Sequence, residues 1–347
     1  MAFVGENPWW VGTDQDNGQA VPLGDKPVTA AEMLVASGND WRVQLATMRA
    51  EIVLDGKRVT TTVPNMKAVV REDTRAVLGC VSKLYEPVQN SAAFAFFDEV
   101  VGEGRAMYHT SGSLGEGEKV WILARLPEDI VINGVDKVES YLALFNAHDG
   151  SMSFRMHYTP IRVVCQNTWN VAVREGKRQG GGYRRAHFRG ITGRLNADDA
   201  RKALGLAHEH LRTFEEQAAK MAQQPMSDRE LEGFLQRIFP MPRHLMIGQP
   251  TEPALKLLME PKPELYTQLG VPAVISKRRE LVRRLFAEGK GNAAPEIAGT
   301  RWAAANAVSE FTDYLHGWDR RRSESLLFGY GAAQKQRAWD LLVAAPS

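Results

Sequence analysis

The chain has 347 residues, 44% hydrophobic and 24% charged, enough to build a substantial core and two packed subdomains. A formal net charge of only +2 excludes a protein that is basic throughout, so any attraction to nucleic acid has to be local. Cys80 and Cys165 are the only cysteines, too few to staple a chain of this size, and no apolar run approaches the roughly 20 residues of a membrane span. The opening MAFVGENPWW has neither the basic nor the apolar region of a signal peptide, so the expectation is a soluble protein of a reducing cytoplasm with no membrane partner.

Thr29-Ala-Ala-Glu32 ahead of Met33, Leu34 and Val35 is a capping-box pattern and predicts a short helix ending near Gly38. Residues 41–82 read as strands. Residues 42–45 alternate, 51–54 follow, and Asp55-Gly56 marks a hairpin turn before 57–60. Residues 66–71 and 76–81 read as a further pair. Phe94, Phe97, Val100 and Val101 recur at helical spacing within 90–101. Strand character returns at 106–113, 120–126, 137–145 and 151–158, and 160–173 reads as an extended stretch continuing into a helix through Thr168-Trp169-Asn170.

Beyond Asn196 the composition turns to Ala, Leu, Glu, Lys and Arg. Helices are expected over 198–222, 227–239, 276–287, 302–315 and 331–344, with a Pro-rich loop at 240–272. The fold class is α+β: an antiparallel β-rich N-terminal part packed with helices, then a mainly helical C-terminal part. The organisation read from this is an α+β domain at 1–195, with a basic hairpin or arm at 174–194, and a helical region at 196–347.

Residues 174–194 hold the strongest chemical signal. Arg174, Lys177, Arg178, Arg184, Arg185, Arg189 and Arg194 face a single acid, Glu175, a local net charge of +6 against a slightly acidic remainder. Gly180, Gly181 and Gly182 let the main chain approach a ligand closely. Tyr183, His187 and Phe188 are interleaved with the arginines, a mixture suited to phosphate pairing combined with base stacking. The alternative is a solvated surface hairpin whose charges protect a sheet edge.

Three other segments carry weaker signals. Asn146-Ala-His-Asp-Gly-Ser151 sets His148 beside Asp149, which fits acid–base work or simple turn chemistry. Cys165, in Arg162-Val-Val-Cys-Gln-Asn-Thr168, reads as a buried thiol or as a nucleophile with His148 or His157 as base. Gly112-Ser-Leu-Gly-Glu-Gly-Glu-Lys119 lacks the Gly-Lys-Ser/Thr ending of a phosphate loop and reads as a hairpin turn. Lys277-Arg278-Arg279 with Arg283 and Arg284, and Arg320-Arg321-Arg322, read as solvated helix faces, and Trp302, Tyr314, Trp318 and Trp339 as core.

Several segments together resemble a known family: Asp40-Trp41, Leu78-Gly79, Tyr85-Glu-Pro-Val-Gln-Asn90, Gly112-Ser-Leu114 with Val120-Trp121, Ala147-His-Asp-Gly150, Thr159-Pro-Ile-Arg-Val-Val-Cys-Gln-Asn-Thr168 and Gly299-Thr-Arg-Trp-Ala-Ala-Ala-Asn-Ala-Val308. The chain is similar along almost its whole length to the phage/plasmid-like protein family, a domain of unknown function. One departure is Trp9-Trp10-Val11-Gly12, where that family often shows Trp-His-Gly. The resemblance implies a mobile-element origin and a bacterial host cytoplasm.

The function expected from these readings is phage or plasmid DNA binding, with single-strand binding or annealing in recombination or replication. Lys177, Arg178, Arg184, Arg185, Arg189 and Arg194 would meet phosphates, Tyr183 or Phe188 would stack a base, and Arg155 and Arg162 would extend the groove. A homo-oligomer fits this expectation; no catalytic set, cofactor or metal is assigned. The alternatives are an enzyme acting on nucleic acid or nucleotides through His148, Asp149 and Cys165, and a host-interaction protein whose basic segment meets an acidic partner.

Overall fold

The computed structural model describes residues 2–5, 29–101, 107–162, 182–240, 270–315 and 330–344. It is α+β, with antiparallel sheets in the N-terminal half and helices in the C-terminal part. The chain divides into two compact units, one comprising Met1–Asp129, Glu139–Pro160 and Ala172–Arg212, the other Ile130–Val138, Ile161–Val171 and Thr213–Ser347.

The first unit begins with strand β1 (Ala2–Gly5) and helix α1 (Ala30–Ala36). Thr29 and Glu32 form the reciprocal capping box that their spacing predicts, satisfying two backbone donors that the helix start would otherwise leave bare. Strands β2 (Val43–Leu54) and β3 (Lys57–Arg71) are joined by Asp55 and Gly56, both at positive φ, as a two-residue hairpin turn requires. The sequence pattern divides 57–71 into two strands, but β3 is continuous; it changes register near Asn65, itself at positive φ, where the pairing with β2 slips between Thr47 and Arg49. Strand β4 (Val77–Ser82) completes a sheet ordered β2-β3-β4. Helix α2 (Asn90–Val101) buries Phe94, Phe96, Phe97, Val100 and Val101.

A six-stranded sheet follows, built from β5 (Met107–Leu114), β6 (Lys119–Ile132), β7 (Asp136–Ala147), β8 (Phe154–Arg162) and β9 (Tyr183–Arg185), in the order β1-β5-β6-β7-β8-β9. Residues 115–118 turn between β5 and β6, so the glycine-rich run at Gly112 is a strand–turn–strand element. Val69, Leu78 and Val81 share one core with the α2 phenylalanines, Val120, Ile122, Leu144, Phe154 and Met156.

The second unit contains the β6–β7 tip (residues 130–138), the end of α3 (Ala197–Gln223), α4 (Asp228–Ile238), α5 (Gly270–Glu288), α6 (Arg301–Glu310) and α7 (Tyr330–Val343). Ser227 and Glu230 form a second capping box at the start of α4. Helix α5 begins at Gly270, inside the stretch that its prolines mark as a loop. Every residue of α6 is buried, which its Ala-rich sequence permits. Phe214 stacks on Trp339 at 4.7 Å, and Trp302 meets both rings edge-on. Trp302 donates its indole N–H to Asp136 at 2.7 Å, so Trp302 and Trp339 are core residues. Among the described residues no helix is long and apolar enough to cross a membrane.

Candidate nucleic-acid interface

Strand β9 pairs antiparallel with β8, matching Phe154 with Arg185, Arg155 with Arg184 and Met156 with Tyr183. The two-residue alternation of a strand sends Phe154, Met156 and Tyr183 into the core and leaves Arg155 and Arg184 together on the opposite face. The chain enters β9 through Gly182, where a Cβ would lie 2.6 Å from the Met156 carbonyl oxygen.

The burial of Tyr183 corrects its expected role. Its side chain is 2% exposed and packs against Phe96 and Phe154, while its hydroxyl accepts from the Asn196 backbone N–H at 3.3 Å. A ring enclosed in this way anchors the strand and has no face free to stack a base. Phe188 differs: it is 48% exposed.

The arginines are held in three ways. Arg184 Nε donates to Ser153 Oγ at 2.7 Å. Arg185 lies 4.5 Å over the Tyr183 ring and pairs with Asp199 at 3.2 Å. Arg155 lies over Phe145; burial, and then the like charge of Arg184, bring its guanidinium down to about 10.

Residues 186–194 are pinned to the segment that follows β4. Arg189 N–H donates to the Leu84 carbonyl at 3.0 Å, and the Glu86 carboxylate accepts from Gly190 N–H at 2.6 Å and Thr192 Oγ at 3.2 Å. Those bonds, the Gly190 one foremost, hold the Glu86 carboxyl below its usual range. Arg189, which follows Phe188 in sequence, and Arg194 are both exposed. Residues 182–194 thus carry four arginines and no acid, although Asp199 and Glu86 neutralise part of that charge from outside the run. Arg162 is the last residue of β8. Lys177, Arg178 and Cys165 lie outside the described residues, as does the helix expected through Thr168.

His148 and Asp149 are neighbours in sequence with separate partners. His148 is fully buried, its Nε2 2.8 Å from Asn90 Oδ1 and its ring 5.3 Å from that of Trp41. Burial pushes its pKa down to about 3, so the imidazole is neutral at ordinary pH. Asp149 pairs with Lys119 at 2.9 Å and accepts from Ser151 N–H and Oγ. Among the described residues no hydrogen bond joins the two side chains, and no group of three or more His, Cys, Asp or Glu could hold a metal ion.

Around His148 the structure gathers polar residues that sequence reasoning did not single out. Asn90 Nδ2 donates to the Asn39 carbonyl at 3.0 Å, Asn146 Nδ2 to the Val88 carbonyl at 2.8 Å, and Tyr85 hydroxyl to the Ala147 carbonyl at 2.6 Å. Tyr85 also stacks on His187, which is 8% exposed. A Cβ on Gly79 would sit 2.5 Å from Asp149 Cα, so the two segments touch backbone to backbone. The signal for these residues lay in the resemblance: Asp40-Trp41, Leu78-Gly79, Tyr85 to Asn90 and Ala147 to Gly150 are the segments that converge here. On α5, Arg279 donates to the Phe239 carbonyl, and the exposed Arg283 pairs with Glu232.

The first unit is thus an α+β body with a buried polar network around His148 and a last strand that presents arginines. Residues 77–338 match the family model described as a domain of unknown function, DUF932, and the chain belongs to that family. No curated protein and no solved structure matches it.

Proposed function

We propose that the chain is a phage- or plasmid-encoded protein of the bacterial cytoplasm that binds single-stranded DNA along β9 and residues 186–194. The supporting observation is the acid-free run of residues 182–194, with Arg184 set against Arg155 and Phe188 left half-exposed beside Arg189. Arginine pairs phosphate oxygens bidentately, and an exposed aromatic ring adds a stacking surface that tolerates any base. Arg155, Arg184, Arg189 and Arg194 would take phosphates and Phe188 a base, while Tyr183 and Glu86 hold the segment in place.

No acid–base pair is part of this proposal, because His148 and Asp149 are engaged by Asn90 and Lys119. Titration of a fluorescent oligonucleotide at two salt concentrations tests it. Single-strand binding that weakens as salt rises is the expected result; binding that is absent or indifferent to salt removes the reading.

A further inference from the structure

The β2–β3 hairpin extends beyond its own core. From Arg49 to Thr62 no residue is buried, although this stretch contains Ile52, Val53, Leu54 and Val59. A two-stranded ribbon bare on both faces is marginal by itself in water. Its two faces also differ. The register places Ala50, Ile52 and Leu54 with Thr61, Val59 and Lys57 on one face, and Arg49, Glu51 and Val53 with Thr62, Thr60 and Arg58 on the other. On the first face Ile52 is 43%, Leu54 54% and Val59 41% exposed. A ribbon with one apolar and one charged face is patterned to be covered.

Its outer edge is also open. Strand β2 is terminal in its sheet, and at its start the Gln89 side chain takes the place of a neighbouring strand, accepting from Val43 N–H at 3.1 Å and donating to the Val43 carbonyl at 2.8 Å. Among the described residues β2 has β3 as its only strand partner. An unpaired apolar edge is a template for another strand.

We infer that the occupant is the β2 strand of a second copy of this chain, paired antiparallel about a two-fold axis at Ala50. The charges favour that register over its immediate neighbours. With Ala50 opposite its copy, Arg49 of each strand lies opposite Glu51 of the other, and the two apolar faces join on the same side. A shift by one residue turns the apolar face of one copy against the charged face of the other. A shift that centres the axis on Arg49 or on Glu51 sets like charges directly opposite, which is destabilising. Glu51 also meets Arg58 of its own arm at 3.6 Å, a contact between exposed side chains that the pairing leaves in place.

The inference stands apart from DNA binding and is tested without DNA. Mass and self-association of the full chain are measured by sedimentation over a range of concentrations for the wild type, Arg49→Glu, Glu51→Arg and the double exchange. Each single exchange puts two like-charged pairs in the joint and should weaken association about tenfold or more. The double exchange should restore it. Loss of the Arg58 ion pair cannot account for that recovery, because Glu51→Arg removes the pair in both variants. Both positions are exposed, so unchanged circular dichroism separates loss of pairing from loss of fold. A monomer at every concentration, association indifferent to the single exchanges, or failure of the double exchange to recover it would each overturn the inference.

Discussion

Arg155 on β8 and Arg184 on β9 are register partners, two cations facing one another at the end of a six-stranded sheet with one of them half-buried. They are 29 residues apart in sequence, and the pairing exists only because Gly182 and the buried Tyr183 lay β9 against β8. In the proposed function, this pair of neighbouring cations would favour a bound phosphate.

Replacing Arg184 and Arg189 together by Ala should therefore weaken single-strand binding at low salt. It should also lower the slope of log affinity against log salt by roughly 0.7 for each phosphate that is no longer neutralised. Neither arginine forms an ion pair among the described residues, so the melting temperature should stay close to that of the wild type. Anisotropy titrations at several salt concentrations read the slope, and thermal melts read the fold.

Phe188 and Tyr183 should behave oppositely. Phe188→Ala should cost about 1–3 kcal/mol of binding if the ring stacks a base, with little change in stability because the ring is already half-exposed. Tyr183→Ala removes a fully packed ring and should destabilise the first unit by about 3–5 kcal/mol. Paired titrations and denaturant melts separate the two effects.

That contrast marks where the sequence stops being legible. Tyr183 and Phe188 stand alike among arginines, and only the pairing of β9 with β8 decides which ring turns inward. Local signals read well: the capping box at Thr29, the Asp55-Gly56 turn, the helix over 90–101 and, to within a residue at each end, the helix expected over 198–222. Each depends on interactions within a few residues. The continuity of β3 past Asn65, the Asp199 carboxylate that neutralises Arg185 and the polar network around His148 depend on interactions between distant segments, which composition and spacing do not encode.

Burial pushes the histidine pair down, His148 to about 3 and His187 to about 4. An unfolded histidine titrates near 6.5, so below that pH the unfolded chain binds protons that the folded chain refuses. The stability these groups confer is present above about pH 6.5 and is lost as pH falls toward 4, by about 1.4 kcal/mol per pH unit for each histidine. Thermal melts between pH 7 and 4 should show this decline, and His148→Asn and His187→Asn should each flatten it. Equal slopes in wild type and variants would contradict the assignment.

Lys335 and Asp313 form a 2.8 Å ion pair within the second unit, with side chains 1% and 0% exposed. Lys335→Met leaves a buried carboxylate without the ammonium group that pairs with it and should cost about 3–5 kcal/mol. Adding Asp313→Leu should recover much of that loss, since removing both charges together avoids an uncompensated one. A denaturation series of the two single variants and the double variant measures the coupling.

The most direct test of the proposed interface is photo-crosslinking of a substituted single-stranded oligonucleotide to the intact protein, followed by peptide mapping. Crosslinks should fall on residues 182–194, centred on Phe188, and the Arg184→Ala, Arg189→Ala double variant should diminish them. Crosslinks confined to the β2–β3 arm or to the second unit, with residues 182–194 unmarked, would contradict the proposal.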